Sequence, residues 1–152
     1  MAKGFSFGAM VTLLAGVFCY GAANAEVPEQ KVKAFMAAFE RVYQPAMNKD
    51  DVERYLSFMT DDVTDFHASY NVTLTGKDLP RKTLPEKAKT SVAYKLEVGE
   101  MILGERTAVL EYREIFKDRD GAKVVDGNLR TILVLEFSKD GLIKNMRRYL
   151  DR

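Results

Sequence analysis

The chain has 152 residues and a formal net charge of +1, enough for a single domain and too evenly charged for an electrostatic footprint on nucleic acid or anionic membrane. One cysteine and one histidine exclude a disulfide framework and a clustered Cys/His metal site, so neither a metal nor another cofactor is expected.

Residues 1–25 read as a secretory signal peptide. Lys3 gives a positive start, residues 10–20 are almost purely apolar, and Ala23-Asn24-Ala25 is a small-x-small cleavage site. The apolar run is short for a bilayer span. The expectation is an exported protein, periplasmic or secreted, with one domain over residues 26–152 and no membrane segment after processing. Processing removes only one charge, Lys3, and takes Cys19 with it.

Apolar residues at three- and four-residue spacings predict a first helix over residues 28–47. Val32, Phe35, Met36, Phe39, Val42, Tyr43, Ala46 and Met47 form its stripe, and Pro45 kinks or ends its last turn. Asp50 followed by Glu53 resembles a capping box for a second helix carrying Val52, Tyr55, Leu56 and Met59. At Asp61-Asp62 the period changes to two. Val63, Asp65 and His67 then share one strand face, with Thr64, Phe66 and Ala68 on the other. A second extended piece covers residues 69–75 and contains the sequon Asn71-Val72-Thr73. Thr83 and Glu86 around Pro85 suggest a short third helix.

From Ala93 the chain reads as strands. In the preferred register Ala108, Leu110, Tyr112, Glu114 and Phe116 face inward; a one-residue slip would substitute Glu111 and Arg113. Asp120-Gly121 and Asp140-Gly141 are hairpin signals. The strand from Val124 to Ser138 is apolar on both faces between Leu129 and Leu135. Its outward Ile132 and Val134 call for a cover, and a homodimer through the outer sheet face is the expectation. Helices first and hairpin-linked strands after make an α+β domain, a curved antiparallel sheet wrapped around N-terminal helices.

Three stretches resemble the nuclear transport factor two-like superfamily, which includes SnoaL-like cyclases and ketosteroid isomerases. They are residues 47–52 running into Phe58-Met59-Thr60-Asp61-Asp62-Val63, then residues 135–143, then Arg147-Arg148-Tyr149-Leu150-Asp151. The resemblance implies a cone, the cystatin-like α+β roll, with a pocket at its open end. It places a base at His67 and an oxyanion donor at Tyr43. The isomerases' second acid falls on Leu133, which counts against ketosteroid isomerase activity itself. The charged triad of the epoxide hydrolases falls on Tyr112, Glu114 and Arg148, without their Asp-Arg-Asp pattern.

The candidate site is therefore catalytic His67, Tyr43 and Glu114, with Tyr112, Arg148, Met36, Phe39, Leu133 and Met146 as ligand contacts. Glu114 either holds the His67 tautomer or pairs with Arg148; in the first case Arg148 is free for a ligand carboxylate. Two functions are consistent with this. One is acid–base chemistry of isomerase, lyase or cyclase type on a small apolar carbonyl or hydroxyl compound, or a carboxylate-bearing one. The other is a non-catalytic ligand-binding or dimerisation module.

Overall fold

The computed structural model describes residues 26–151, so the expected signal peptide lies outside the described residues. Helix α1 spans Glu29–Arg41, α2 Lys49–Leu56 and α3 Asp78–Ala88. Six strands follow the order β2-β1-β6-β5-β4-β3 across one sheet. They are β1 Met59–His67, β2 Val72–Thr75, β3 Ser91–Leu103, β4 Thr107–Asp120, β5 Lys123–Phe137 and β6 Ile143–Asp151.

The apolar stripe of α1 buries Val32, Phe35, Met36, Ala38 and Phe39 against the sheet. Each large side chain among them contributes about 2 kcal/mol by leaving water. The helix ends at Arg41 rather than at Met47. Pro45 accounts for the early stop, because it supplies no amide hydrogen and pushes the preceding residue out of helical conformation. Residues 42–46 form turns, which take Tyr43 off the helix and swing it toward the sheet. Ser91 Oγ donates to the Tyr43 carbonyl at 2.7 Å and Gln44 Nε2 to the Tyr94 carbonyl at 2.5 Å, fixing this corner on β3.

The cap of α2 also differs from expectation. Asn48 and Asp51 form the capping box, with Asp51 N donating to Asn48 Oδ1 at 3.0 Å and Asn48 N to Asp51 Oδ2 at 2.9 Å. Asn48 and Asp50 are both good cap residues followed by an acid three positions on; Arg41 Nε on Asp51 Oδ2 at 3.0 Å favours the first. Helix α3 begins earlier than Thr83. Pro80 sits in its first turn, where no amide bond is needed, and the Thr83 hydroxyl donates back to the Leu79 carbonyl at 2.9 Å.

Strand β1 starts at Met59, directly after α2. A single 3-10 turn, Ala68–Tyr70, replaces the start of the expected second extended piece. It closes on Asn71 at φ 51°, a left-handed position that asparagine tolerates. One pairing departs from an all-antiparallel sheet: β1 lies parallel to β6, with Asp65 opposite Met146 and His67 opposite Arg148. A helix, not a hairpin, delivers β1 to the sheet, so its direction is not tied to that of its neighbour.

The preferred register of β4 holds. Ala108, Leu110 and Tyr112 are fully buried, opposite Leu135, Leu133 and Thr131 of β5. Bulges in β1, β3 and at the end of the β5–β6 ladder curve the sheet around α1. At the far end of the β4–β5 hairpin, Phe116 lies flat on Gly127, where a Cβ would stand 2.0 Å from the ring. Any side chain at Gly127 would displace that ring.

Candidate functional site

Period-two geometry puts Asp65 and His67 on the inner face of β1, and the parallel register sets Arg148 of β6 beside them. Arg148 donates twice to one carboxylate, Nε to Asp65 Oδ1 at 3.1 Å and Nη2 to Oδ2 at 2.7 Å. His67 Nε2 lies 3.3 Å from the same Oδ2. The guanidinium is also 4.8 Å above the Phe39 ring. Arg148 is thus held by a bidentate pair on one side and an aromatic face on the other.

This corrects both alternatives drawn for Glu114. Asp65, not Glu114, orients His67 and neutralises Arg148. Glu114 instead accepts from Tyr94 Oη at 2.9 Å. The Tyr94 ring stacks on Tyr43 at 4.8 Å between centroids, and Tyr43 meets Phe39 edge-on at 5.4 Å.

Electrostatics follow from these contacts. Burial alone would raise the Asp65 carboxyl, but the Arg148 charge and the His67 hydrogen bond outweigh it, and the net direction is down. Burial opposes the Arg148 charge, yet Asp65 and the surrounding tyrosines hold it ionised with its pKa raised. Burial pushes the hydroxyls of Tyr43, Tyr55, Tyr94 and Tyr112 up, so all four keep their protons at neutral pH and can donate. The hydroxyls of Tyr112 and Thr131, on paired residues of β4 and β5, are buried beside one another, and that of Tyr112 also lies against Glu114.

Two small cavities share Tyr43, His67 and Arg148 in their walls. The first, ≈ 120 Å³, adds Asp65, Tyr55, Met146 and residues of α3. The second, ≈ 160 Å³, adds Ser69, Tyr112, Glu114, Leu129 and Leu150. Each is about the size of the apolar cavity of roughly 150 Å³ that admits benzene. Larger clefts lie between α2 and α3 (≈ 370 Å³) and beside the start of α1 (≈ 470 Å³), away from this chemistry. Among the described residues no group of three His, Cys, Asp or Glu is placed to hold a metal ion.

Of the residues expected at the site, His67, Tyr43 and Arg148 line both cavities, Tyr112 and Glu114 the second, and Met146 the first. Phe39 is buried beneath Arg148 and supports the site from below. Met36 and Leu133 are buried core residues that line neither cavity. Asp65, Tyr55 and Tyr94 belong to the site and were not singled out from the sequence. For Asp65 the signal was present: it shares a strand face with His67, two positions on.

Nε2 faces Asp65, so a neutral ring that carries its proton there leaves Nδ1 as an acceptor. A carboxylate-oriented imidazole with phenol donors nearby can take a proton and steady a developing oxyanion. It can equally bind a polar group without chemistry.

No family model and no curated protein matches the sequence. Solved structures do match in fold. A candidate SnoaL-like polyketide cyclase from Shewanella denitrificans aligns with a TM-score of 0.68 at 10% identity, over 80% of this chain and 88% of that one. A candidate isomerase from Rhodopseudomonas palustris gives 0.62 at 16%, over 80% and 89%. An NTF2-like protein of unknown function from Burkholderia pseudomallei gives 0.62 at 18%, over 80% and 88%. At these identities the likeness carries the architecture and not the activity. The chain has the fold of the nuclear transport factor two-like superfamily, the α+β cone that it shares with SnoaL-like proteins.

Proposed function

We propose that this is an exported small-molecule protein of the cone fold whose His67, oriented by Asp65, acts as a general base on a small apolar carbonyl or hydroxyl compound. The observation that carries the reading is His67 Nε2 on Asp65 Oδ2 at 3.3 Å, with the ring in the wall of both cavities. Tyr43, in the same walls and with its proton retained, is the donor to a developing oxyanion. Isomerase and cyclase names among the structural neighbours are consistent with proton-transfer chemistry. Export rests on the order of charge, apolar run and Ala23-Asn24-Ala25 in residues 1–25.

Cavity size limits the substrate to about one small ring per lobe. Arg148 is already saturated by Asp65, so a ligand carboxylate would have to displace an internal one; a neutral ligand fits better.

The second reading is a non-catalytic binder. Phe35, Phe39 and Tyr55 stack through the cone's interior, and the two cavities beside them are small. That filling favours binding over turnover of anything large. Deuterium exchange separates the two. With cyclohexanone in D2O, a base at His67 removes an α-proton, Tyr43 donates to the enolate oxygen, and a solvent deuteron returns to carbon. Exchange should fall by roughly 10²–10⁴ in His67→Gln. Binding of the ketone with no protein-dependent exchange would leave the binder reading.

A further inference from the structure

We propose that helix α3 is a movable wall of the Asp65–His67 cavity, latched to α2 by the Arg81–Glu53 ion pair, and that its shift toward α2 admits a ligand of two fused rings where the closed cavity holds one. The inference rests on the cone being the ligand site and adds what sets the size of ligand it takes.

Helix α3 has open space on both sides. Leu79, Pro80, Thr83 and Leu84 stand in the wall of the ≈ 120 Å³ cavity that contains Asp65 and His67. Arg81, Pro85, Ala88 and Lys89 stand in the wall of the ≈ 370 Å³ cleft against α2. At the α-helical repeat these two sets lie on nearly opposite faces. A move of α3 toward α2 therefore narrows the cleft and widens the cavity together.

The helix is lightly seated. Leu84 and Ala88 are the buried residues among its eleven, and Leu79, in the cavity wall, is exposed. Pro85 has no amide hydrogen, so the Arg81 carbonyl loses its helical partner midway along. The two ends are fixed to the sheet: Gly76 N donates to the Val63 carbonyl at 2.7 Å, and Arg119 N to the Thr90 carbonyl at 2.7 Å. Gly76 turns the chain at φ 77°, where glycine carries no strain. Between these ends α3 is tied by ion pairs, Arg81 to Glu53, Lys77 to Asp61 and Lys87 to Asp118. Arg81 bridges the cleft, Nε to Glu53 Oε1 at 2.7 Å and Nη2 to Oε2 at 3.2 Å. Its side chain and that of Glu53 are 41% and 44% exposed, so this latch is a surface pair that water can replace. An element with few buried apolar contacts and exposed ties opens before the sheet does.

The test compares cyclohexanone with the fused bicyclic ketone 2-tetralone on the full chain. The proteins are native, Glu53→Arg, and Glu53→Arg combined with Arg81→Glu. Backbone amide shifts follow binding, and amide hydrogen exchange follows α3. In the native protein, residues 81–88 should exchange faster than the buried part of β4. Glu53→Arg sets two cations across the cleft and should quicken that exchange about fivefold. It should also bind 2-tetralone about fivefold tighter, because the open state no longer has to break the latch. Cyclohexanone, which fits the closed cavity, should change by less than about twofold. The double variant restores the pair with its charges exchanged and should return exchange and both affinities to native values, which damaged packing would not do. Equal changes for the two ketones, or none, overturn the movable wall and leave the cone reading intact. So do α3 amides that exchange no faster than those of β4, and so does binding of cyclohexanone without 2-tetralone. Failure of both ketones to bind overturns both.

Discussion

Removing the Asp65 carboxylate should destabilise the protein far more than its surface ion pairs would suggest. The Asp65 and Arg148 side chains are only 14% and 12% exposed, and the guanidinium rests on Phe39. In Asp65→Ala the buried cation loses its bidentate partner and keeps only the Phe39 face, the phenols and, across the second cavity, Glu114. Breaking such a pair from one side costs about 3–5 kcal/mol. Taking 3 kcal/mol and an unfolding entropy of about 2.1 cal/mol/K per residue, the melting temperature of a domain of this length falls by about 10 °C. Arg148→Met should cost less, because the remaining carboxylate keeps His67 as a partner and can take up a proton. The double variant should recover most of the loss, since a methionine can pack against Phe39 with no charge to solvate. Thermal or urea unfolding of all four proteins closes the cycle. A coupling energy below about 1 kcal/mol would refute the argument, because it would mean that the pair behaves like an exposed one.

The same carboxylate predicts an acid limit. Its folded pKa is lowered, so its contribution is fully present above the ordinary value of 3.8 and is lost as pH falls through the lower folded value. Stability measured from pH 6 downward should drop more steeply below about pH 4 in the native protein than in Asp65→Asn; parallel profiles would contradict this. On the outer sheet face, Ile132 and Tyr149 are paired neighbours, 48% and 41% exposed, rimmed by the Arg130–Glu111 and Arg147–Glu136 ion pairs. We propose that a second copy covers this patch: sedimentation should give a dimer, and Val134→Lys, which places a charge beside it, should give a monomer. Exported material should begin at Glu26 by N-terminal sequencing; a chain that keeps Met1 in a membrane fraction would contradict the signal-peptide reading.

Much of this site could be read from alternation alone. Val63-Asp65-His67 and Ala108-Leu110-Tyr112-Glu114 each show period two, which groups each set on one face; apolarity chose the inner face of the second, and the family resemblance, not hydrophobicity, turned His67 inward. Phe66, the more hydrophobic neighbour, lies on the other face and is partly buried, because residues 65 and 67 take the inner one. The pairing of charges was not legible. Asp65 and Arg148 are 83 positions apart, and they meet only because β1 lies parallel to β6. No local pattern encodes that adjacency, so the sequence offers Glu114 both as the holder of the His67 tautomer and as the partner of Arg148, and Asp65 for neither. Helix ends were ambiguous for a different reason. Asn48 and Asp50 both satisfy the capping pattern, and the choice between them was made by Arg41, a tertiary contact.

The proposed chemistry turns on one ring, and the protein has one histidine, so its imidazole gives the only such signals in a nitrogen-resolved NMR spectrum. At a pH where the ring is neutral, it should be the Nε2–H tautomer, slowed in exchange by the facing Asp65 carboxylate, with a bare Nδ1 that shifts when cyclohexanone is added. In Asp65→Asn the preference should relax toward a mixture of tautomers. An Nδ1–H ring, or one exchanging as freely as an exposed histidine and indifferent to both ligand and Asp65, would contradict the claim that His67 is the oriented base of the cone.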